Sequence, residues 1–176
     1  MIANDTAQCV VVGGRRLARC SHVLLRHSRR TLLDEGGVEA LMTFAMGAWG
    51  PGAFDNDAAW DWSTDLTETE DLSFVEGTLN TAEDVDDDEL DADLGCEALA
   101  ACEVVARLQG RAGRKDDVVD RWVRAHPAKP SPALIRMATN VIDRVAQGSE
   151  LAQLRSNDHA WRAGVQDLRK RIAGNP

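Results

Sequence analysis

The stretch Gly95-Cys96-Glu97-Ala98-Leu99-Ala100-Ala101-Cys102-Glu103-Val104-Val105-Ala106-Arg107-Leu108-Gln109 decides the fold. Ala98, Ala101, Cys102, Val105 and Leu108 recur at three- and four-residue steps, so they share one face of a helix. The small residues among them let a neighbouring helix approach closely. Gly110 follows, the residue type that most easily ends a helix. Two acids sit differently on this helix. Glu97 lies in the first turn and is expected to face water. Glu103 borders the apolar stripe, and burying a carboxylate there requires an Arg or a backbone N–H as partner. Glu103 is therefore a candidate site residue, read first as a structural group.

Downstream the helical text continues. Asp116 and Asp117 open a segment with Val119, Trp122 and Val123 on one face, and His126 ends it before Pro127. Pro127 to Pro130 is a stiff connector. Ser131-Pro132 is a cap and first-position pair, followed by the stripe Leu134, Ile135, Ala138, Val141, Ile142 and Val145 up to Gly148. Ser149 or Ser156 is placed to cap a short run holding Leu151 and Leu154. Trp161, Val165, Leu168 and Ile172 define the last helix, whose terminal Arg169, Lys170 and Arg171 suit the helix dipole.

Upstream, Gly50-Pro51-Gly52-Ala53 fits a type II turn, with Gly52 accepting a positive φ. Asp55, Asn56 and Asp57 then supply oxygens for free helical N–H groups. Ala59, Trp62 and Leu66 form an apolar face, repeated by Leu72, Val75 and Leu79 with Phe74 beside them. Trp60 falls one position off that face. Core packing is its first reading; if exposed, it is an aromatic anchor ringed by Asp57, Asp61 and Asp65. Those three acids stack at i, i+4, i+8, where like charges cost an isolated helix about 0.2–0.5 kcal/mol per pair. They form either a solvated face or a site for a cation or an Arg patch. The run from Glu83 to Asp93 invites an EF-hand reading, but Glu89 stands where the loop needs Gly and Gly95 where it needs a bidentate Glu. A solvated loop leading into the next helix explains the same acids. No strand pattern follows Met46. The expected fold is an all-α irregular bundle of about five to seven helices, with residues 46–176 as a single helical domain.

The charge is unevenly distributed. The 176 residues carry a net −9, but residues 1–45 hold +2, residues 46–95 hold −16 with no Lys or Arg, and residues 96–176 hold +5. Such a partition suits either internal neutralisation between two halves or an acidic face for a basic partner. Net negative charge argues against general nucleic-acid binding, and no apolar run approaches the roughly 18 residues of a membrane span. Val10 to Val12 is too short for a signal-peptide core, so the expected compartment is the cytoplasm. Residues 1–45 lack sustained periodicity, and all their bases are Arg, as translated DNA upstream of a GC-rich gene would read. They are expected to be a non-native extension or a weakly structured, disordered arm preceding a natural start at Met46.

Cys9, Cys20, Cys96 and Cys102 form no C-x-x-C and have no His at zinc-ligand spacing. Cys96 and Cys102 lie about 120° apart on one helix, so they are read as core. The His residues match no hydrolase or metalloprotease motif, and no phosphate-binding glycine loop is present. No cofactor or metal is indicated.

The combination Trp49-Gly50-x-Gly52-x-Phe54-x-Asn56-Asp57 resembles the opening of the bacterial domain-of-unknown-function 4259 family. The likeness continues through Glu97 to Ala106, the Trp122 helix, Ser149-Glu150-Leu151 and the closing helix with Trp161, covering roughly Met46 to Ile172. It implies that members begin at the residue matching Met46, and it brings no activity, cofactor or catalytic residue. The reading adopted is an uncharacterised, non-enzymatic, acidic helical interaction domain, for instance an immunity- or antitoxin-like neutraliser of a basic protein partner. Its candidate binding residues are Trp49, Phe54, Asn56, Asp57, Trp60, Asp61, Asp65 and Glu103. The alternatives are an enzyme holding a divalent metal on Asp57, Asp61, Asp65 and Glu103, or a structural subunit of an assembly. The oligomeric state is open.

Overall fold

In the computed structural model, which describes residues 50–86 and 89–174, the stretch from Gly95 becomes the central helix of an all-α bundle. Seven helices are present among the described residues, and no strands: α1 (Asp57–Leu66), α2 (Ser73–Asp84), α3 (Ala92–Leu108), α4 (Asp117–Ala125), α5 (Pro132–Gly148), α6 (Glu150–Leu154) and α7 (His159–Ala173). The expected extension, residues 1–45, lies outside the described residues, as do Asp87 and Asp88 of the acidic run. No described helix is long and apolar enough to cross a membrane.

The caps account for most of the helix starts. Asn56 Oδ1 accepts from Ala59 N at 2.8 Å, Asp91 from Leu94 N at 2.8 Å, and Asp116 from Val118 N and Val119 N at 3.0 and 2.9 Å. Ser131 accepts from Leu134 N at 3.1 Å with Pro132 at the first helical position. Ser149, not Ser156, starts α6: its hydroxyl accepts from Ala152 N at 3.1 Å and donates to Val145 O at 2.7 Å. Asp158 starts α7 by accepting from Trp161 N at 2.9 Å. Each such cap is worth about 1 kcal/mol.

α3 packs against each of the other six helices. Every residue from Gly95 to Arg107 except Glu97 is therefore buried, not only the face read from the sequence. Such a helix is nearly apolar all round and needs small side chains where neighbours press closest. At Gly95 an added Cβ would sit 3.2 Å from Leu151, which fixes how near α6 comes. α5 and α7, by contrast, bury single stripes: Leu134, Ala138, Val141, Ile142 and Val145 on one, Trp161, Val165, Leu168 and Ile172 on the other. Trp62 stacks on Phe74 at 5.2 Å and donates its Nε1–H to Thr78 Oγ1 at 2.9 Å, joining α1 to α2. Trp122 donates to Thr69 O at 3.0 Å and so ties α4 to the α1–α2 connection.

The opening turn differs from expectation. Gly52 does not take a positive φ; among the described glycines only Gly110 and Gly174 do. The turn runs instead from Gly52 to Asp55, with Asp55 N donating to Gly52 O at 3.1 Å. The glycines serve close approach. A Cβ on Gly50 would lie 2.5 Å, and one on Gly52 2.8 Å, from Asp55 Oδ2. Their absence of a side chain makes room for that carboxylate, which accepts from Gly52 N at 2.9 Å and pairs with Arg114.

Candidate functional site

The turn lies across α7. Pro51 O approaches Gly164 so closely that a Cβ there would be 3.2 Å from the carbonyl oxygen, and Arg155 Nη2 donates to Gly50 O at 3.4 Å. Beneath it opens a cleft of about 360 Å³. Cys96 and Leu99 of α3, Leu151 of α6 and Trp161, Val165 and Leu168 of α7 supply its apolar walls. Phe54 and Asn56 line it from the turn side, Trp60 of α1 lines it as well, and residues 113–116 complete it.

One wall is an ionic network centred on Glu103. Its side chain is only 5% exposed, and it accepts from Arg171 Nη1 at 3.1 Å, Arg171 Nη2 at 2.7 Å and Gly113 N at 2.8 Å. Arg107 stands 3.6 Å away, donates to Asp120 at 2.8 Å and Arg114 O at 2.6 Å, and places its guanidinium 5.8 Å from the Phe54 ring centre. Arg171 also reaches Asp167 at 2.7 Å and Arg111 O at 3.0 Å. Burial works against the Arg171 cation, but its hydrogen bonds to Glu103 and Asp167 outweigh that and raise its pKa above the usual arginine value. Glu103 thus has the Arg and the backbone partner that its position required, and its oxygens are committed to holding α3, α7 and the loop after α3 together.

The other ionisable groups of the cleft are paired too. Asp55 meets Arg114, Arg155 meets Asp158 at 2.7 Å, and Lys115 meets Asp117 at 2.6 Å. Cys96 is no nucleophile at neutral pH: burial, reinforced by Asp93, pushes its thiol up to about 12. Cys102, fully buried on α3, is shifted upward as well, by burial and then by Glu103.

Of the residues singled out in the sequence, Phe54, Asn56, Trp60 and Glu103 line this one cleft. Asn56 is 6% exposed and acts as the α1 cap. Trp49 lies outside the described residues. Trp60 is not core: it is 53% exposed, because Ala59, Trp62, Ser63 and Leu66 already fill the buried face of α1. Asp57, Asp61 and Asp65 are exposed, do not line the cleft, and make no ion pair with another described residue. They do not converge with Glu103. No group of three or more His, Cys, Asp or Glu side chains among the described residues is arranged to hold a metal ion.

Glu97 is half-buried instead of fully wet, and burial, followed by Asp93, Asp91 and Asp65, raises its pKa. Arg114, Arg155, Trp161 and Arg171 were not legible as site residues. Trp161 reads as core, and each arginine meets its place in the cleft through a partner or wall distant in sequence, such as Glu103 for Arg171.

A family model described as Domain of unknown function (DUF4259) matches residues 47–164, which takes in the opening turn, helices α1 to α6 and the first part of α7. No curated protein and no solved structure matches the chain.

Proposed function

The chain belongs to the family described as Domain of unknown function (DUF4259), and on that premise, which brings no activity with it, we propose that it is an interaction domain docking a basic protein partner on the acidic face of α1. The observation that carries this reading is Trp60, 53% exposed on α1 beside the acidic stripe that begins at Asp57, about 60° round the helix from it. A large exposed aromatic supplies burial on association, and the nearby carboxylates steer a cationic surface toward it.

The distribution of ion pairs supports the same reading. Arg107, Arg155, Arg169 and Arg171 pair with Asp120, Asp158, Asp143 and Glu103, all within residues 96–174, and Arg114 reaches Asp55 of the opening turn but not α1. Those bases do not neutralise the α1 stripe. A neutraliser of a basic effector, in the manner of an immunity or antitoxin protein, is the form of this reading that best suits so acidic a half.

The test is a photo-crosslinking amino acid installed in place of Thr64, exposed one helical turn beyond Trp60, with irradiation in a lysate of the native host. The expected result is an adduct with a protein of net positive charge, its yield falling as salt rises and when Asp57→Asn and Asp61→Asn are added. An adduct yield indifferent to salt and to both substitutions overturns the reading.

A further inference from the structure

The cleft beneath the opening turn has polar groups and apolar walls in different states of satisfaction, and the difference indicates what would enter it. Its carboxylates and cations are already joined to one another: Asp55 with Arg114, Arg155 with Asp158, and Glu103 with Arg171. Asp116 is occupied in capping α4. At the mostly buried Glu103–Arg171 pair a ligand charge would have to displace formed ionic hydrogen bonds, so that wall does not call for one; the Asp55–Arg114 pair lies at the exposed rim. The apolar surface left open is mainly that of Trp60, 53% exposed, with the half-buried Phe54 and exposed Ala160 beside it, over a floor of buried Leu99, Leu151, Trp161, Val165 and Leu168. A volume of about 360 Å³ is at the lower end of pockets for small organic ligands, and apolar walls of that size reward a bulky hydrocarbon or aromatic group.

Trp60 links this cleft to the acidic stripe. It lines the cavity, and Asp57 and Asp61 lie about 60° and 100° further round α1, outside the cavity. We propose that the cleft receives one large apolar side chain from the basic partner, which packs against Trp60 while neighbouring Lys or Arg residues of the same segment lie over Asp57, Asp61 and Asp65. This rests on the docking reading above and deepens it: Trp60 becomes a wall of the receiving pocket, and the anchor comes from the other protein. The chemistry of the occupant is thus a cationic polypeptide segment with a single aromatic or large aliphatic side chain.

Short random peptides displayed on phage and selected against the full chain provide the test, with Ala160→Trp as the filled-cleft variant. Ala160 lines the cleft and is exposed, so the larger side chain projects into the cavity without entering the core. Trp60→Ala, likewise at an exposed position, removes the wall from the other side. Circular dichroism and thermal melting establish that both variants remain folded.

The expected result is enrichment of peptides that combine Lys or Arg with one aromatic or Leu. Replacing that residue by Ala in the synthetic peptide should weaken binding to the parent chain on the order of 30-fold, and should change little in Ala160→Trp or Trp60→Ala. Enrichment of basic peptides without an apolar residue overturns the pocket and leaves the acidic docking face standing. Enrichment of apolar peptides with no basic residue overturns the docking face and the paired anchor with it. Anchored peptides that bind Ala160→Trp as tightly as the parent place the contact elsewhere and overturn the pocket.

Discussion

Glu103 of α3 and Asp61 of α1 are both helical carboxylates, but their surroundings are opposite. Glu103 is buried and accepts from Arg171 and Gly113, with Arg107 alongside. Asp61 faces water on a stripe with Asp57 and Asp65 and without a cation among the described residues. A buried carboxylate held in this way organises the fold, because α3, the loop that follows it and α7, 68 positions away, meet on it. An exposed stripe with no cation among the described residues holds no segments together, and although Asp57 suits the start of α1, each like-charged pair costs the helix a few tenths of a kcal/mol. Acids that the fold does not need are the better candidates for meeting another molecule.

The comparison breaks most directly at Glu103. Glu103→Ala leaves the Arg171 cation with Asp167 and the Arg111 carbonyl, and leaves Arg107, whose side chain is 2% exposed, with Asp120 and the Arg114 carbonyl. Removing one member of a buried ion pair costs about 3–5 kcal/mol. Urea unfolding should show this as a lower midpoint at an unchanged slope. Asp61→Asn in the same assay should fall within about 0.5 kcal/mol of the parent. Equal effects from the two substitutions would remove the distinction between the regions.

The same contrast explains what the sequence disclosed. On α5 and α7 the periodic stripe and the buried face agree, Leu134 to Val145 on one and Trp161 to Ile172 on the other, because each helix is covered from one side. On α3 the stripe understated burial, since Ala100, Val104 and Arg107 are covered as well. One-dimensional periodicity cannot register a helix surrounded by six others; only the density of small residues hinted at it. In the cleft, the need of Glu103 for an Arg partner was readable, but its identity, 68 positions away, depends on how α7 returns across α3. Trp60 was off the apolar face of α1, and that offset was the available signal of its exposure.

The opening turn sharpens the comparison at intermediate scale, since two glycines there have different duties from one in α2. A Cβ on Gly50 would press on the Asp55 carboxylate, which is fixed by Gly52 N and Arg114. Gly50→Ala should therefore cost about 1–3 kcal/mol. Combined with Asp55→Ala it should cost less than the sum of the single changes, with a coupling of about 0.5–3 kcal/mol in a double-mutant cycle. Gly77, exposed in α2 with nothing within 4 Å of an added Cβ, gives the opposite sign. Gly77→Ala should stabilise by about 0.5–1 kcal/mol. A Gly50→Ala protein as stable as Gly77→Ala would mean that the turn does not depend on room for Asp55.

Glu97 lies between the two extremes, half-buried and without an ion-pair partner among the described residues, and its contribution should be the smallest. Burial first, then the charges of Asp93, Asp91 and Asp65, raise its pKa in the folded chain above the unfolded value of about 4.3. The folded state therefore binds the proton more tightly than the unfolded state. At neutral pH the charged Glu97 detracts from stability; the penalty shrinks as pH falls through the raised pKa and is gone below the unfolded value. Glu97→Gln should accordingly raise the melting temperature at pH 7, by an amount on the scale of about 0.5 kcal/mol, with the gain vanishing in acid. Asp158 has the opposite sign. Its pKa is lowered by the Trp161 N–H, against some burial, and by Arg155, so Asp158→Asn should cost stability at pH 7 and the cost should disappear as pH falls through that lowered value. Melting curves of both variants from pH 7 downward should therefore converge on the parent from opposite sides. A Glu97→Gln protein less stable than the parent at pH 7 would put Glu97 with Glu103 among the carboxylates that the fold requires.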